Sequence, residues 1–225
     1  MNLPEYDDYI DIHDHGGSSS DNCFAVENLM AHEDRIPDLM PGITYSYGIH
    51  PWYLNSENYD EQIERVIKYA DHPNVVAVGE AGFDRLRGPS PALQRKAFEE
   101  QAEIAGQMSK PLFIHCVRAW DELLRENKRL KPDKPWIVHG FRGKVELAMQ
   151  LLSRGMYISF WFDFILRPES SSLVRNLPVD RIFLETDGSG IEISELYKKV
   201  ADDLEMEVTV LKEQIRSNYE NLFLK

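Results

Sequence analysis

Eight short apolar runs, several of them continuous and not alternating, set the tightest limit on how this chain can fold. They are Tyr9–His13, Cys23–Glu27, Ile43–His50, Val75–Glu80, Leu112–His115, Trp136–His139, Tyr157–Phe160 and Arg181–Glu185. Continuous runs rich in β-branched and aromatic residues are the pattern of strands buried on both faces. From Asn55 onward, helical patterns separate them. Ile63, Val66, Ile67 and Ala70 form one apolar face; Leu93, Ala97, Phe98, Ala102 and Ala105 form the next. Trp120, Leu123 and Leu124 mark a third, and Val145, Ala148, Leu151 and Leu152 a fourth that Gly155 can stop. Val208, Leu211, Ile215, Tyr219 and Leu222 make a closing helix. Strand alternating with helix predicts right-handed parallel crossovers, and about eight such units predict an α/β fold of the (β/α)₈, TIM-like barrel type.

The first quarter departs from this rhythm. Between His15 and Cys23 stand Gly16, Gly17, the run Ser18–Ser20 and two further residues. A parallel crossover ordinarily takes a dozen or more residues. The expectation is therefore a distorted barrel of seven or eight strands with an abbreviated N-terminal region. In it, Cys23–Glu27 either pairs antiparallel with a neighbour such as Ile43–Tyr47 or leaves the barrel.

At 225 residues the chain fits one domain, read here as 1–225, and 43% hydrophobic residues suffice for a sizeable core. No internal repeat, low-complexity tract or linker interrupts it. Thirty-eight acidic against 25 basic side chains leave a net charge of -13, which excludes nucleic-acid binding through a general basic field. A phosphate-bearing substrate then needs positive charge supplied locally, and a bound metal is one source. Cys23 and Cys116 do not make a disulfide scaffold. The opening MNLPEYDDYI lacks the features of a signal peptide, and no run approaches the roughly 18 apolar residues of a membrane span. The chain reads as soluble and cytoplasmic, with no membrane association and no obligate protein partner to infer.

The polar residues at the run ends carry the chemistry. Five of seven histidines, His13, His15, His50, His115 and His139, sit at or just past the end of an apolar run. Glu80 closes another, and Asp187 follows the last. In a parallel barrel those ends open on one face, where catalytic residues gather. Imidazoles and carboxylates are ligands for borderline and hard divalent metals. His13 and His15, two apart on a strand, point to the same side. A lone His-x-His is as compatible with a surface or core pair; the convergence of the other run ends argues for a metal site. His32 and His72 read as solvated residues, Cys116 as a small buried thiol, and Gly79 and Gly82 as close-packing positions beside Glu80. Arg118 and Arg142, just past run ends, are either surface cations or phosphate contacts.

These motifs, taken in order, resemble the TatD metal-dependent hydrolases, also called TatD-related deoxyribonucleases. The opening D-x-H-x-H stands as Asp11-Ile12-His13-Asp14-His15, G-I-H-P as Gly48-Ile49-His50-Pro51, and G-E-x-G-x-D as Gly79-Glu80-Ala81-Gly82-Phe83-Asp84. Gln94 follows, then His115-Cys116-Val117-Arg118 resembles the strand ending in H-x-R. His139-Gly140-Phe141-Arg142-Gly143 is similar to H-x-F-x-G, Glu185-Thr186-Asp187 to E-T-D, and Asn218 with Leu222-Phe223 to the closing N-x-x-x-L-F.

The resemblance implies a barrel of the metal-dependent hydrolase type with two divalent ions, Mg²⁺ or Mn²⁺, the donor set also suiting Zn²⁺. His13, His15 and Asp187 would hold one ion, His115 and His139 the other, and Glu80 would bridge them. Asp187 or Glu80 would act as general base, and His50 and Arg118 would bind the phosphate of DNA ends or short oligonucleotides. No lysine occupies a matching position, which argues against a carboxylated-lysine bridge. After Asp187, Gly188-Ser189-Gly190-Ile191 leads quickly toward a helix, where the family has a longer loop. The stretch between His15 and His50 is also short, implying a smaller, more open site. The alternatives are a hydrolase of a small phosphoester, carboxylic ester or amide, and a non-catalytic barrel used for binding. On the phosphodiesterase reading, Arg118→Ala is expected to change KM or kcat on a charged substrate in steady-state assays; unchanged values would remove Arg118 from the substrate contacts.

Overall fold

In the computed structural model, which describes residues 2–16 and 22–224, all eight runs are strands: β1 (Tyr9–Asp14), β2 (Cys23–Met30), β3 (Ile43–Gly48), β4 (Val75–Asp84), β5 (Leu112–Val117), β6 (Trp136–Phe141), β7 (Tyr157–Phe160) and β8 (Ile182–Leu184). The helices are α1 (Tyr59–Ala70), α2 (Pro91–Gln107), α3 (Trp120–Leu130), α4 (Val145–Leu152), α5 (Phe162–Ile165), α6 (Ser170–Arg175), α7 (Ile193–Asp203) and α8 (Val208–Phe223). Strand order in the sheet follows chain order, β1 to β8. The ladders β1/β2, β3/β4, β4/β5, β5/β6 and β7/β8 are parallel. This is the topology of a TIM-type (β/α)₈ barrel. Among the described residues no helix is long and apolar enough to cross a membrane.

Two compact units make up the chain. One comprises Asn28–Met40 and Thr44–Val138; the other comprises residues 2–27, Pro41–Ile43 and the chain from His139 on.

In the first unit, β4 is buried at all ten positions, which is why it reads as a continuous apolar run and not an alternating one. Its glycines let neighbouring backbones touch. A Cβ on Gly48 would lie 2.4 Å from Gly79 Cα, one on Gly79 2.5 Å from Phe113 O, and one on Gly82 1.8 Å from His115 O. The close-packing reading of Gly79 and Gly82 therefore describes what they do. Helix α2 starts where Ser90 Oγ accepts from Leu93 N–H at 3.4 Å, with Pro91 in its first turn. On α1, Ile63, Val66 and Ala70 are buried, but Ile67 is 50% exposed. Gln62 and Tyr69 take buried positions, rotating the inner face away from it.

The second unit corrects the reading of the N-terminal quarter. β2 pairs with β1 in parallel, with Tyr9 opposite Cys23 and Ile10 opposite Phe24, and does not turn antiparallel or leave the sheet. The eight residues 15–22 can span at most about 26–29 Å when extended, more than the roughly 20 Å length of a six-residue strand. Chain length thus permits a return without a crossover helix; Gly17 and Ser18–Ser20 themselves lie outside the described residues. Between β2 and β3 stands only a single 3₁₀ turn, Ala31–Glu33, so the expected abbreviation is present. Gly155, at φ 79°, follows the end of α4 as the stop signal implied. Helices α7 and α8 anchor the strands through buried polar groups. Tyr197 OH donates to Ile10 O and accepts from Ile10 N–H, both at 3.1 Å. Asn218 Nδ2 donates to Val179 O and Ile182 O at 2.9 Å, which gives this motif residue a purely architectural task.

Gly82→Ala is expected to force the β4 and β5 backbones apart, costing about 1–3 kcal/mol. Urea unfolding should show a lower midpoint at unchanged m-value; an unshifted midpoint would contradict the close approach.

Candidate metal centre

In the second unit, β1 carries His13, and His15 follows its last residue. Both reach one carboxylate: Asp187 Oδ1 lies 3.7 Å from His13 Nε2 and 3.1 Å from His15 Nε2. One ligand atom from each of the three lies within 4.8 Å of the others. Around an ion with nitrogen and oxygen ligands at about 2.0–2.2 Å, neighbouring ligand atoms stand roughly 3–4 Å apart, so this triad fits a divalent metal.

The turn holding Asp187 is anchored on both sides. Thr186 donates its N–H to Asp11 Oδ1 at 3.1 Å and its hydroxyl to Asp11 Oδ2 at 2.5 Å. Gly188 N–H donates to Asp14 Oδ1 at 3.1 Å, and Asp187 N–H to His13 O at 3.0 Å. Asp187 itself is left-handed at φ 51°, a conformation that Asp tolerates better than most residues. Asp11 is fully buried, and burial raises its carboxyl well above the ordinary range, a shift that the Thr186 hydroxyl offsets to a degree. His139, in β6, sits with its ring centroid 4.4 Å from that of His13. Its Nδ1 is 3.7 Å from Glu185 Oε1, and that oxygen also accepts from Gly140 N–H at 2.6 Å. The Ser159 hydroxyl donates to the other Glu185 oxygen.

The first unit gathers His50, Glu80 and His115, again with one ligand atom each within 4.8 Å. Glu80 Oε1 lies 3.3 Å from His50 Nε2 and 3.1 Å from His115 Nδ1, while Oε2 accepts from Asn28 Nδ2 at 3.0 Å. Asn28 Oδ1 in turn accepts from Glu80 N–H at 3.2 Å and the Ser46 hydroxyl at 3.1 Å, so strand ends from β2 and β3 orient the carboxylate. His50 Nδ1 accepts from Trp52 N–H at 3.0 Å, which leaves the ring proton on Nε2. This tautomer makes His50 a hydrogen-bond donor and a poor metal ligand.

His115 is the opposite case. Its Nε2 faces Asp84 Oδ2 at 3.2 Å, and the same oxygen accepts from Trp52 Nε1–H at 2.6 Å. Burial alone would raise the Asp84 carboxyl. Hydrogen bonds from His115, Trp52 and Leu86 N–H outweigh it and hold the group well below the ordinary carboxylate range. An ionised Asp84 accepts the Nε2 proton, which turns the Nδ1 lone pair of a neutral His115 toward the Glu80 carboxylate. Two acceptors 3.1 Å apart call for a proton or a cation between them, and a carboxylate behind the ligating imidazole is the usual support of a metal site.

Every residue singled out in the sequence is thus placed. His13, His15 and Asp187 come together, as do Glu80 and His115, with His50 beside them. Arg118 is exposed, at φ 54°, and Arg142 lies over the Trp161 ring at 4.7 Å. His32 differs from the solvated reading. Its ring stacks on Tyr53 at 4.0 Å, and burial lowers its pKa. His72 Nδ1 accepts from Asn74 N–H at 3.2 Å. Both cysteines are free; burial pushes Cys23 up to about 12 and raises Cys116 further, so neither is a ready nucleophile. The supporting residues Asn28, Asp84, Glu185 and Trp52 drew no assignment from sequence. Asp84 and Glu185 were visible inside their motifs, but Asn28 carries no local signal.

Fold and site together define the class: a TIM-type barrel whose strand ends present imidazole–carboxylate groups able to bind divalent metal. Within it, the chain belongs to the TatD-related DNase family, whose model matches residues 21–224. It is 37% identical over 145 residues to a "3'-5' ssDNA/RNA exonuclease TatD" of Cronobacter turicensis, covering 62% of this chain and 55% of that protein. It is 34% identical over 151 residues to the human "3'-5' RNA nuclease TATDN2", covering 63% of this chain and 19% of that protein. The chain spans about half the length of the bacterial relatives it matches. In fold it is similar to YJJV, a TatD homologue from Escherichia coli, with a TM-score of 0.80 at 21% identity over 98% of this chain and all of that one. A TatD-family hydrolase from Entamoeba histolytica gives 0.76 at 16% identity, covering 99% of each chain.

Asp84→Asn replaces an acceptor oxygen by an amide and is expected to weaken Mn²⁺ binding about 10–100-fold, the usual cost of losing a carboxylate behind a ligating histidine. Calorimetric titration of wild type and variant reads this directly; equal affinities would remove Asp84 from the support of the site.

Proposed function

We propose that this chain is a metal-dependent nuclease, hydrolysing phosphodiester bonds at DNA ends or in short oligonucleotides as a single cytoplasmic domain, 1–225. The convergence of His13, His15 and Asp187 on spacings that suit a divalent ion carries this reading. Nucleic acid as substrate is supported by the nuclease names of the relatives.

The ligand assignment follows the resemblance. On that resemblance His13, His15 and Asp187 would hold one ion, His115 and His139 a second, and Glu80 would be a ligand to both. Mg²⁺ or Mn²⁺ is the expected metal, and Zn²⁺ is compatible with the donors. When bound, such ions activate water and offset the negative charge that develops on the attacking and leaving oxygens. Of the two candidate bases, Glu80 is only 2% exposed and already engaged by Asn28, His50 and His115. Asp187, with a side chain 13% exposed, keeps access to solvent and is assigned to orient the water and take its proton. His50, whose Nε2–H faces Glu80 Oε1 at 3.3 Å, would donate to a phosphate oxygen in exchange for that partner, and the exposed Arg118 meets the charge of the strand. These local donors let a protein of net charge -13 accept a polyanion.

The test is hydrolysis of an end-labelled single-stranded oligonucleotide with Mg²⁺ or Mn²⁺. Wild type should shorten it stepwise. Asp187→Asn and Glu80→Gln should abolish shortening while circular dichroism stays native. No shortening by metal-loaded wild type would remove nucleic acid as the substrate and leave small phosphoesters, esters and amides. Full activity of Glu80→Gln would overturn its bridging role.

A further inference from the structure

The first unit carries an aromatic side chain whose exposure goes beyond what its support of Asp84 requires. Trp52 follows His50 by two residues and is 37% exposed, yet its ring is not free to turn. Its N–H groups are both committed, the backbone one to His50 Nδ1 at 3.0 Å and the indole one to Asp84 Oδ2 at 2.6 Å. The ring centroid stands 4.8 Å from that of His50 and 5.5 Å from that of His115. Over it lies the Arg87 guanidinium, 4.1 Å from the ring centroid.

Arg87 is positioned by the same carboxylate. Asp84 Oδ1 accepts from Leu86 N–H at 2.7 Å and Arg87 N–H at 3.0 Å. Gln94 Nε2 donates to Asp84 O at 2.9 Å and to Pro89 O at 3.0 Å, closing the loop from inside. Gly88, at φ 99°, lets this loop lie against Pro51, since a Cβ there would come within 2.6 Å of Pro51 O. Arg85 is paired with Asp121, but among the described residues no carboxylate pairs with Arg87. A rigid, half-exposed indole carrying a guanidinium that no described carboxylate neutralises is an arrangement that can take a planar heterocycle attached to an anion.

We propose that Trp52 and Arg87 form a stacking subsite for the nucleobase of the nucleotide whose phosphate is held at His50. The inference rests on the phosphodiesterase reading and narrows it, since a small aliphatic phosphoester or amide would leave this platform unused. Because every base has a π-face, the subsite recognises nucleotides without selecting among sequences.

Calorimetric titration of the Mg²⁺-loaded protein with 2'-deoxyadenosine 5'-monophosphate and with 2-deoxyribose 5-phosphate tests this. Stacking of one base corresponds to roughly 5- to 150-fold in affinity, so wild type should bind the nucleotide at least about fivefold more tightly than the sugar phosphate. Trp52→Leu should bring that ratio close to one, whatever part of the sugar-phosphate affinity goes with the lost indole N–H bond to Asp84. Trp52→Phe, which keeps a ring but loses the indole N–H, should retain most of the ratio. A wild-type ratio near one overturns the proposal. So does a Trp52→Leu protein that loses both ligands equally, since Trp52 would then act only through Asp84 and His115. Shortening of an oligonucleotide is scored separately: its absence would sink the nuclease reading, while the ratio alone decides the subsite.

Discussion

A carboxylate taken almost wholly out of water in the middle of a strand is the constraint around which the first unit is arranged. Glu80 is 2% exposed, and a buried charge is tolerated only when its lone pairs are met. Asn28 and His50 donate to it, while His115 turns an Nδ1 lone pair toward it, which a cation between them would satisfy. Asn28 must itself be oriented, which Ser46 does, and the backbones of Gly48, Gly79 and Phe113 must approach closely enough for all these strand ends to converge. The glycines, Asn28 near the end of β2 and the position of His50 thus all bear on one buried anion.

Asp84 has a comparable role at the far end of the same strand. Its two oxygens divide their work: one receives His115 and Trp52, the other the backbone of Leu86 and Arg87. A single ionised group thereby sets the tautomer of a candidate ligand, the orientation of an exposed indole and the path of the loop that carries a cation. Catalytic and binding geometry share a support, so a change at Asp84 propagates to both. In the second unit the equivalent duty is split among Asp11, Asp14 and Thr186, which clamp the turn around Asp187.

How much of this could be read from the chain depends on whether the cause was local. The strands were legible because β4, buried at every position, must be apolar nearly throughout, and because the active ends of the strands break that pattern with His or Glu. The direction of β2 was not legible. Loop length suggested an antiparallel partner, whereas the sheet accommodates a parallel return that the reach of eight residues allows. Ile67 misled for a similar reason, since a helix face is decided by what packs on it and two polar residues, Gln62 and Tyr69 with its hydroxyl, took the inner positions.

By itself the sequence determined the barrel class and the identities of the clustered residues, because hydrophobic periodicity and the ligand types His, Asp and Glu are properties of residues in order. Only the tertiary structure decided which group supports which. The proton on His50, the low pKa of Asp84, the anchoring of Glu80 by Asn28 and the pairing of Trp52 with Arg87 all depend on distances between segments far apart in the chain. Electrostatic interactions and hydrogen bonds fall off over a few ångströms, and no spacing along the sequence encodes that separation.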